Sequence, residues 1–95
     1  MVKHIVMWWL KDDSPALKEQ AKQKLLSMKG KAEILKDVEV GIDQMHSARS
    51  CDLCLVCTFD SFQDLAEYAN HPVHVPVKEF MHSIMVKSVS CDYEL

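Results

Sequence analysis

Two histidines and a tyrosine lie close together late in the chain, and their types are suited to proton transfer. His71 and His74 flank Pro72, and Tyr68 precedes them at the predicted end of a helix. A histidine that titrates near neutral pH can act as a general base, and a tyrosine hydroxyl can donate to a developing oxyanion. The spacing therefore indicates a site with His74 as base and Tyr68 as oxyanion donor. The alternative is that His71 caps a helix end and that Tyr68 is a half-buried aromatic residue.

The other histidines are weaker candidates. His4 lies among apolar residues of a predicted strand, where it is either a hydrogen-bonded core residue or part of a ligand pocket. His46 falls in a polar loop and His82 on the polar side of a helix, so we expect both to be solvated. A metal ion at His71 and His74 would need more ligands than these two. We therefore predict neither a metal nor a cofactor.

Four cysteines raise the question of a disulfide or a metal site: Cys51, Cys54, Cys57 and Cys91. The first three lie in a segment rich in Leu, Val, Thr and Phe, which is typical of a strand. Residues three apart in a strand are ~10 Å apart and point to opposite faces. A disulfide needs Cα atoms within ~7 Å, and zinc ligands must converge on one ion. The cysteines are therefore predicted to be small buried hydrophobic residues.

The composition narrows the class of protein. The chain has 95 residues, of which 48% are hydrophobic and 26% charged, and its net charge is −3. This size fits a single domain over residues 1–95, and the apolar content argues against disorder. The excess of acidic over basic residues argues against nucleic acid as a partner. No segment has the pattern of a signal peptide or the ~18 apolar residues of a membrane span, so we expect a cytoplasmic protein.

Hydrophobic periodicity predicts the elements of the first half of the chain. A continuous apolar run over residues 2–10 suits a central strand covered on both faces. Ser14–Pro15 is typical of a helix start, and Gly30 of a helix end. A second strand alternates over residues 38–42, and a third covers about residues 51–60.

The second half adds two helices and a strand. Ser61 is a predicted cap for a helix that ends near Asn70, and a short helix follows around residues 77–84. The last ten residues alternate as a strand, with Met85 on the same side as Val89 and the odd-numbered residues that follow. The order β-α-β-β-α-(α)-β predicts a ferredoxin-like α+β fold, a four-stranded antiparallel sheet with helices on one face.

One face of this sheet lacks a cover within the chain. Ile5, Met7 and Trp9 lie on the side of the first strand that faces away from the helices. Such an apolar face needs a partner, and a second copy of the chain is the simplest one. We therefore expect a homodimer that pairs through this face.

Five segments in order resemble the stress-responsive A/B barrel (Dabb) family: Met1–Val6, Val38–Gly41, Thr58–Ser61, Tyr68–His74 and Cys91–Glu94. The resemblance covers essentially the whole chain. It implies a ferredoxin-like monomer that pairs into a dimeric α/β barrel, in agreement with the uncovered sheet face. Most members of the family have no known reaction or are linked to stress responses.

One plant branch of this family is a polyketide cyclase. In that branch a histidine in the position of His74 is the base, a tyrosine in the position of Tyr68 assists it, and a histidine matching His4 lines the pocket. The present chain keeps all three residue types and has Leu53 where the cyclase has another pocket histidine.

Two functions from different classes follow from these observations. The first is a stress-related homodimer that binds a small, partly apolar molecule without turning it over. The second is a cofactor-independent cyclase, isomerase or lyase that uses His74 and Tyr68. Haem or oxygen chemistry would need His74 or His4 as an axial ligand, and no further residue supports it. The predicted ligand-binding residues are His4, Tyr68, His71 and His74.

Overall fold

Four antiparallel strands and three helices form the fold. The computed structural model describes residues 1–95, in the order β1 (Val2–Leu10), α1 (Pro15–Leu26), β2 (Asp37–Ile42), β3 (Leu53–Phe59), α2 (Phe62–Ala69), α3 (His74–Ile84) and β4 (Met85–Glu94). The sheet order is β2-β3-β1-β4, and every neighbouring pair is antiparallel. The predicted ferredoxin-like α+β fold is thereby confirmed. None of the three helices combines the length and the apolar character that crossing a bilayer requires.

The helix starts follow from two serine caps. The Oγ of Ser14 accepts a hydrogen bond from the backbone N–H of Leu17 at 3.2 Å, and the Oγ of Ser61 accepts one from Asp64 at 3.1 Å. Each bond satisfies a backbone donor that the first helical turn leaves unpaired. At its other end α1 stops four residues before Gly30, and the chain continues in turns until Gly30 takes a φ of +78°. Glycine reaches this left-handed conformation without the steric cost other residues meet.

The hydrophobic core lies between the helices and one face of the sheet. Its largest fully buried side chains include Phe59, Leu53, Leu25 and Met28. Burying one such side chain contributes about 1.5–3 kcal/mol to stability. Phe59 is completely buried, so truncating it to alanine is expected to cost about 3–5 kcal/mol.

A bulge in β4 reverses one predicted orientation. Trp9 pairs with Lys87, but Leu10 pairs with Met85, which leaves Val86 without a partner in the ladder. Because one extra residue switches the alternation of side chains, Met85 packs against the core instead of sharing a side with Val89. The period-two pattern alone could not locate this insertion.

The sheet face opposite the helices, here called the outer face, carries a continuous set of apolar side chains. The pairing of β1 with β3 and β4 places three side chains of β1 beside residues of both neighbouring strands on this face. The apolar residues of the outer face are Ile5, Met7, Trp9, Cys54, Val56, Val89, Cys91 and Tyr93. Met7, Val89 and Tyr93 remain exposed in the single chain. The predicted uncovered apolar face is therefore present.

The cysteines are dispersed as the strand geometry predicts, but only Cys57 is buried as expected, whereas Cys51 and Cys54 are half-buried and Cys91 is exposed. All four are free thiols. Cys57 is fully buried on the core side of β3, Cys54 lies on the outer face, and Cys51 precedes the strand. Burial raises the pKa of the Cys57 thiol to about 12. This thiol is protonated at neutral pH and behaves as a small core residue.

Candidate ligand-binding site

A cavity of about 130 Å³ opens between the sheet and the helices α2 and α3. This is close to the ~150 Å³ of an engineered apolar cavity that binds benzene. Apolar side chains line much of it, and polar side chains from β1, α2, α3 and β4 complete it. The lining residues are His4, Val6, Trp8, Leu25, Leu55, Tyr68, His74, Val77, Lys78, Met81, His82 and Ser88.

The turn between α2 and α3 holds His74 at this cavity. The carbonyl of His71 accepts hydrogen bonds from the backbone N–H groups of His74 and Val75, at 2.9 and 3.0 Å. The His74 Nδ1 then lies 3.1 Å from the carbonyl oxygen of Ala69. A carbonyl can only accept, so Nδ1 carries the hydrogen and Nε2 is the free acceptor of the neutral ring.

The charge state of His74 follows from its surroundings. Its ring is half-buried, and this burial lowers its pKa below the ordinary value, with the nearby positive charge of Lys78 adding to the shift. Its hydrogen bond to Ala69 opposes the shift without cancelling it. His74 is therefore neutral at pH 7, with an unprotonated nitrogen available as a proton acceptor.

Tyr68 joins His74 in an aromatic stack. The ring centroids of the two residues are 4.1 Å apart at an interplanar angle of 29°, and Phe59 packs on Tyr68 with its centroid at 5.1 Å. The Tyr68 hydroxyl donates to the sulfur of Met28 at 3.5 Å. Burial raises the pKa of Tyr68 above its usual range, so the hydroxyl stays protonated and is a donor. Sulfur is a weak acceptor, and Met28 belongs to the buried core and not to the lining of the cavity.

His4 completes a group of three rings. Its Nδ1 donates to Oδ1 of Asp92, which lies directly opposite on β4. The centroid of the His4 ring is 6.2 Å from that of Tyr68, with the rings edge to face. The carboxylate fixes the His4 tautomer, because it accepts the hydrogen on Nδ1. The structure thus brings together His4, Tyr68 and His74 from three elements.

The structure places His71 outside the cavity. Its Nδ1 accepts a hydrogen bond from the backbone N–H of Val73 at 3.1 Å, so its ring stabilises the turn before α3. This contact does not cap a helix, because the N-cap residue of α3 is Val73 and no side chain caps this helix start. Of the four predicted ligand-binding residues, His4, Tyr68 and His74 line the cavity and His71 does not.

Three polar lining residues were missed by sequence reasoning. Lys78 and His82 lie one and two turns beyond His74 on α3, and Ser88 lies on the inner side of β4. The spacing of four between His74, Lys78 and His82 was a readable signal, since such residues share a helix face. Ser88 gave no signal, because its position depends on how β4 pairs with β1.

A second, more open cavity of about 290 Å³ lies beside the start of α1, and Lys18, Asp43 and His46 are among its lining residues. Its charges are satisfied within the chain. The buried Lys18 ammonium contacts Asp13 at 2.6 Å, and the His46 backbone N–H donates to Asp43 at 2.7 Å. These pairs leave the first cavity as the better ligand site.

Fold and cavity together define a small ferredoxin-like α+β domain with a partly open cavity between its sheet and its helices. The family model described as the stress responsive A/B barrel domain matches residues 2–95, and the chain belongs to this family. A comparison with curated proteins gave no match.

Solved structures with the same fold come from bacteria and plants. A dimeric protein of unknown function with a ferredoxin-like fold from Bacteroides fragilis is 28% identical, with a TM-score of 0.84 over 99% of this chain and 95% of that one. An Arabidopsis thaliana protein is 26% identical, with a TM-score of 0.86 over 100% and 95% of the two chains. A hydroxynitrile lyase from Passiflora edulis is 20% identical, with a TM-score of 0.85 over 99% and 92%. At that identity the likeness to the lyase shows the fold alone.

Proposed function

We propose that the chain forms a homodimer through its outer face and binds a small, partly apolar molecule in the cavity beside Tyr68 and His74. The cavity carries this proposal, because a largely apolar lining with a few convergent polar groups is the usual character of a ligand site. The exposed apolar outer face supports the dimer, and the similar protein from Bacteroides fragilis is described as dimeric. The two functions are separate, since the cavity and the outer face lie on opposite sides of the sheet.

Native mass spectrometry of protein taken directly from cells tests the binding proposal. The unaltered protein should retain a small molecule as an added mass. Ser88→Tyr places a ring at the exposed rim of the cavity and should abolish the added mass without disturbing the buried core. Ser83→Tyr makes the same change on an exposed position of α3 outside the cavity and should retain it. An unaltered protein with no added mass, or equal retention by the Ser88 variant, would contradict the proposal.

A specific feature of His74 favours a second candidate function, proton transfer on the bound molecule. Its Nε2 is unprotonated at neutral pH, and the protonated Tyr68 hydroxyl lies in the same stack. A base and a hydrogen-bond donor beside one largely apolar cavity suit a cofactor-independent cyclase, isomerase or lyase. His74 would take the proton. The Tyr68 hydroxyl would donate its hydrogen bond to the ligand oxygen on which negative charge develops, in place of the Met28 sulfur.

Cleavage of mandelonitrile to benzaldehyde and cyanide tests this second candidate, because the structural neighbour from Passiflora edulis is a hydroxynitrile lyase. Removing a positioned general base typically lowers the rate 10²–10⁴-fold, which is the loss expected for His74→Asn. His46→Asn replaces an exposed loop histidine and should leave the rate unchanged. If the unaltered protein does not exceed the uncatalysed rate, lyase activity on this substrate is ruled out. If His74→Asn is fully active, His74 is not the base.

A further inference from the structure

The charge of the cavity lining differs in sign from that of the whole chain. The chain carries 14 acidic and 11 basic residues, yet no carboxylate lines the cavity. Its ionisable lining groups are three histidines, one lysine and the protonated Tyr68. Asp92, the nearest acidic contact of these groups, is already bonded to His4. The cavity therefore offers donors and positive charge to a ligand and no negative charge.

Three polar side chains form a line along α3, and two of them, Lys78 and His82, can donate to a ligand. His74, Lys78 and His82 are spaced four residues apart, so they lie on the same helix face and all reach the cavity. Their exposure increases along this line, from the half-buried His74 to the exposed His82 at the rim. The hydroxyl of Ser88 adds a donor from β4.

Lys78 has no acidic partner in the chain. The five ion pairs of the protein join other residues, although Lys78 is only partly exposed. Its ammonium is therefore free to form a charge-assisted hydrogen bond with an anionic group of a ligand. The deeper end of the cavity is apolar, with the buried side chains of Leu25, Leu55 and Met81.

We infer that the ligand is a small carboxylic acid with an apolar, ring-sized body, its carboxylate held at the rim by Lys78 with hydrogen bonds from His82 and Ser88. This inference deepens the proposed ligand-binding function and rests on it. A single carboxylate matches the one full positive charge that Lys78 supplies, and the apolar body fills the deeper end. The carboxylate then lies one helical turn from the neutral His74, which leaves the apolar body close to that ring.

Isothermal titration with three probes tests the inference. Phenylacetate carries both the ring and the charge, phenylacetamide is its neutral isostere, and acetate carries the charge alone. Phenylacetate should bind about tenfold more tightly than phenylacetamide, as one charge-assisted hydrogen bond accounts for about that factor. Acetate should not bind measurably, because it lacks the apolar body.

Variants at Lys78 assign the preference to its charge. Lys78→Gln should remove the preference for phenylacetate while keeping phenylacetamide binding unchanged, which also shows that the variant is folded. Lys78→Arg should restore the preference, and Lys31→Gln, at an exposed position outside the cavity, should leave it intact. Equal binding of the acid and the amide to the unaltered protein would overturn this inference and leave the proposed cavity function standing. Binding of neither aromatic probe would overturn both.

Discussion

Replacing Met7 with glutamate tests whether the outer face pairs with a second copy. Met7 lies on the central strand β1, between Cys54 of β3 and Val89 of β4, and is 40% exposed in the single chain. A glutamate there stays solvated in the monomer, so the fold is retained. In a dimer the same carboxylate would be buried without a partner.

The expected effect is large because the substitution counts twice. A twofold dimer buries both carboxylates, and each costs about 3 kcal/mol when it leaves water unpaired. The sum of about 6 kcal/mol corresponds to a weakening of the dimer by about 10⁴-fold. Trp9 is a poorer probe of this face, since its ring nitrogen donates to Ser50 and Lys87 lies 4.2 Å above its ring.

Sedimentation velocity at micromolar concentration measures the effect. The unaltered protein should sediment at twice the 10.9 kDa of one chain, and Met7→Glu at the mass of one chain. Met45→Glu is a matched control, because Met45 is 82% exposed in a loop, and this variant should remain dimeric. A folded Met7→Glu variant that still sediments as a dimer at every concentration would refute the assignment of the outer face as the interface.

Three further predictions concern a cap, a titrating ring and two thiols. Ser61→Ala should lower the free energy of unfolding by about 1 kcal/mol, which corresponds to a fall in Tm of about 4–8 °C at fixed protein concentration. Ser83→Ala removes no cap and should change the Tm little. Equal Tm values for the two variants would contradict the capping role of Ser61. Burial lowers the pKa of His74, so the unfolded chain takes up its proton more readily, and the free energy of unfolding should fall as the pH drops below the ordinary ~6.5. Chemical denaturation should show a smaller fall of this free energy in the His74→Asn variant than in the unaltered protein. Identical pH profiles for the two proteins would contradict the lowered pKa of His74. Iodoacetamide at pH 8 should leave the buried Cys57 unmodified, as measured by peptide mass spectrometry. It should label the outer-face Cys91 rapidly in the Met7→Glu variant and slowly in the unaltered dimer. Rapid labelling of Cys57 would show that the core around it opens.

Much of the fold could be predicted because its signals are local. Ser14 and Ser61 mark helix starts through hydrogen bonds to residues three positions on, and alternation in β1 separates its core side from its outer side. These patterns depend only on neighbouring residues. The order of elements then leaves few topologies for a chain of this length, and the ferredoxin-like sheet is one of them.

The parts that could not be predicted depend on contacts between distant elements. The bulge at Val86, which turns Met85 to the core, is set by how β4 pairs with β1. The same pairing brings Asp92 to His4, 88 positions apart in sequence. His82 is exposed, as expected, but that it lies at the rim of the cavity depends on how α3 rotates against the sheet, which the sequence does not reveal.

The candidate site was predicted in its centre and not at its edge. Tyr68 and His74 were identified by type and spacing, and the structure stacks their rings. His71 has the same type and nearly the same position, yet its ring is used by the turn that it stabilises. The first residues of α3 decide whether His71 or His74 faces the cavity. Residue type carries no information about this choice.

The pKa and tautomer of His74, measured by nuclear magnetic resonance of its ring in the free protein, test the central claim most directly. That claim is that His74 presents a neutral, acceptor nitrogen to the cavity between the sheet and the helices. The account predicts a pKa below the ordinary ~6.5 and a hydrogen on Nδ1, where the Ala69 carbonyl accepts it. A His74 ring that titrates at or above that value, or that carries its neutral hydrogen on Nε2, would contradict it.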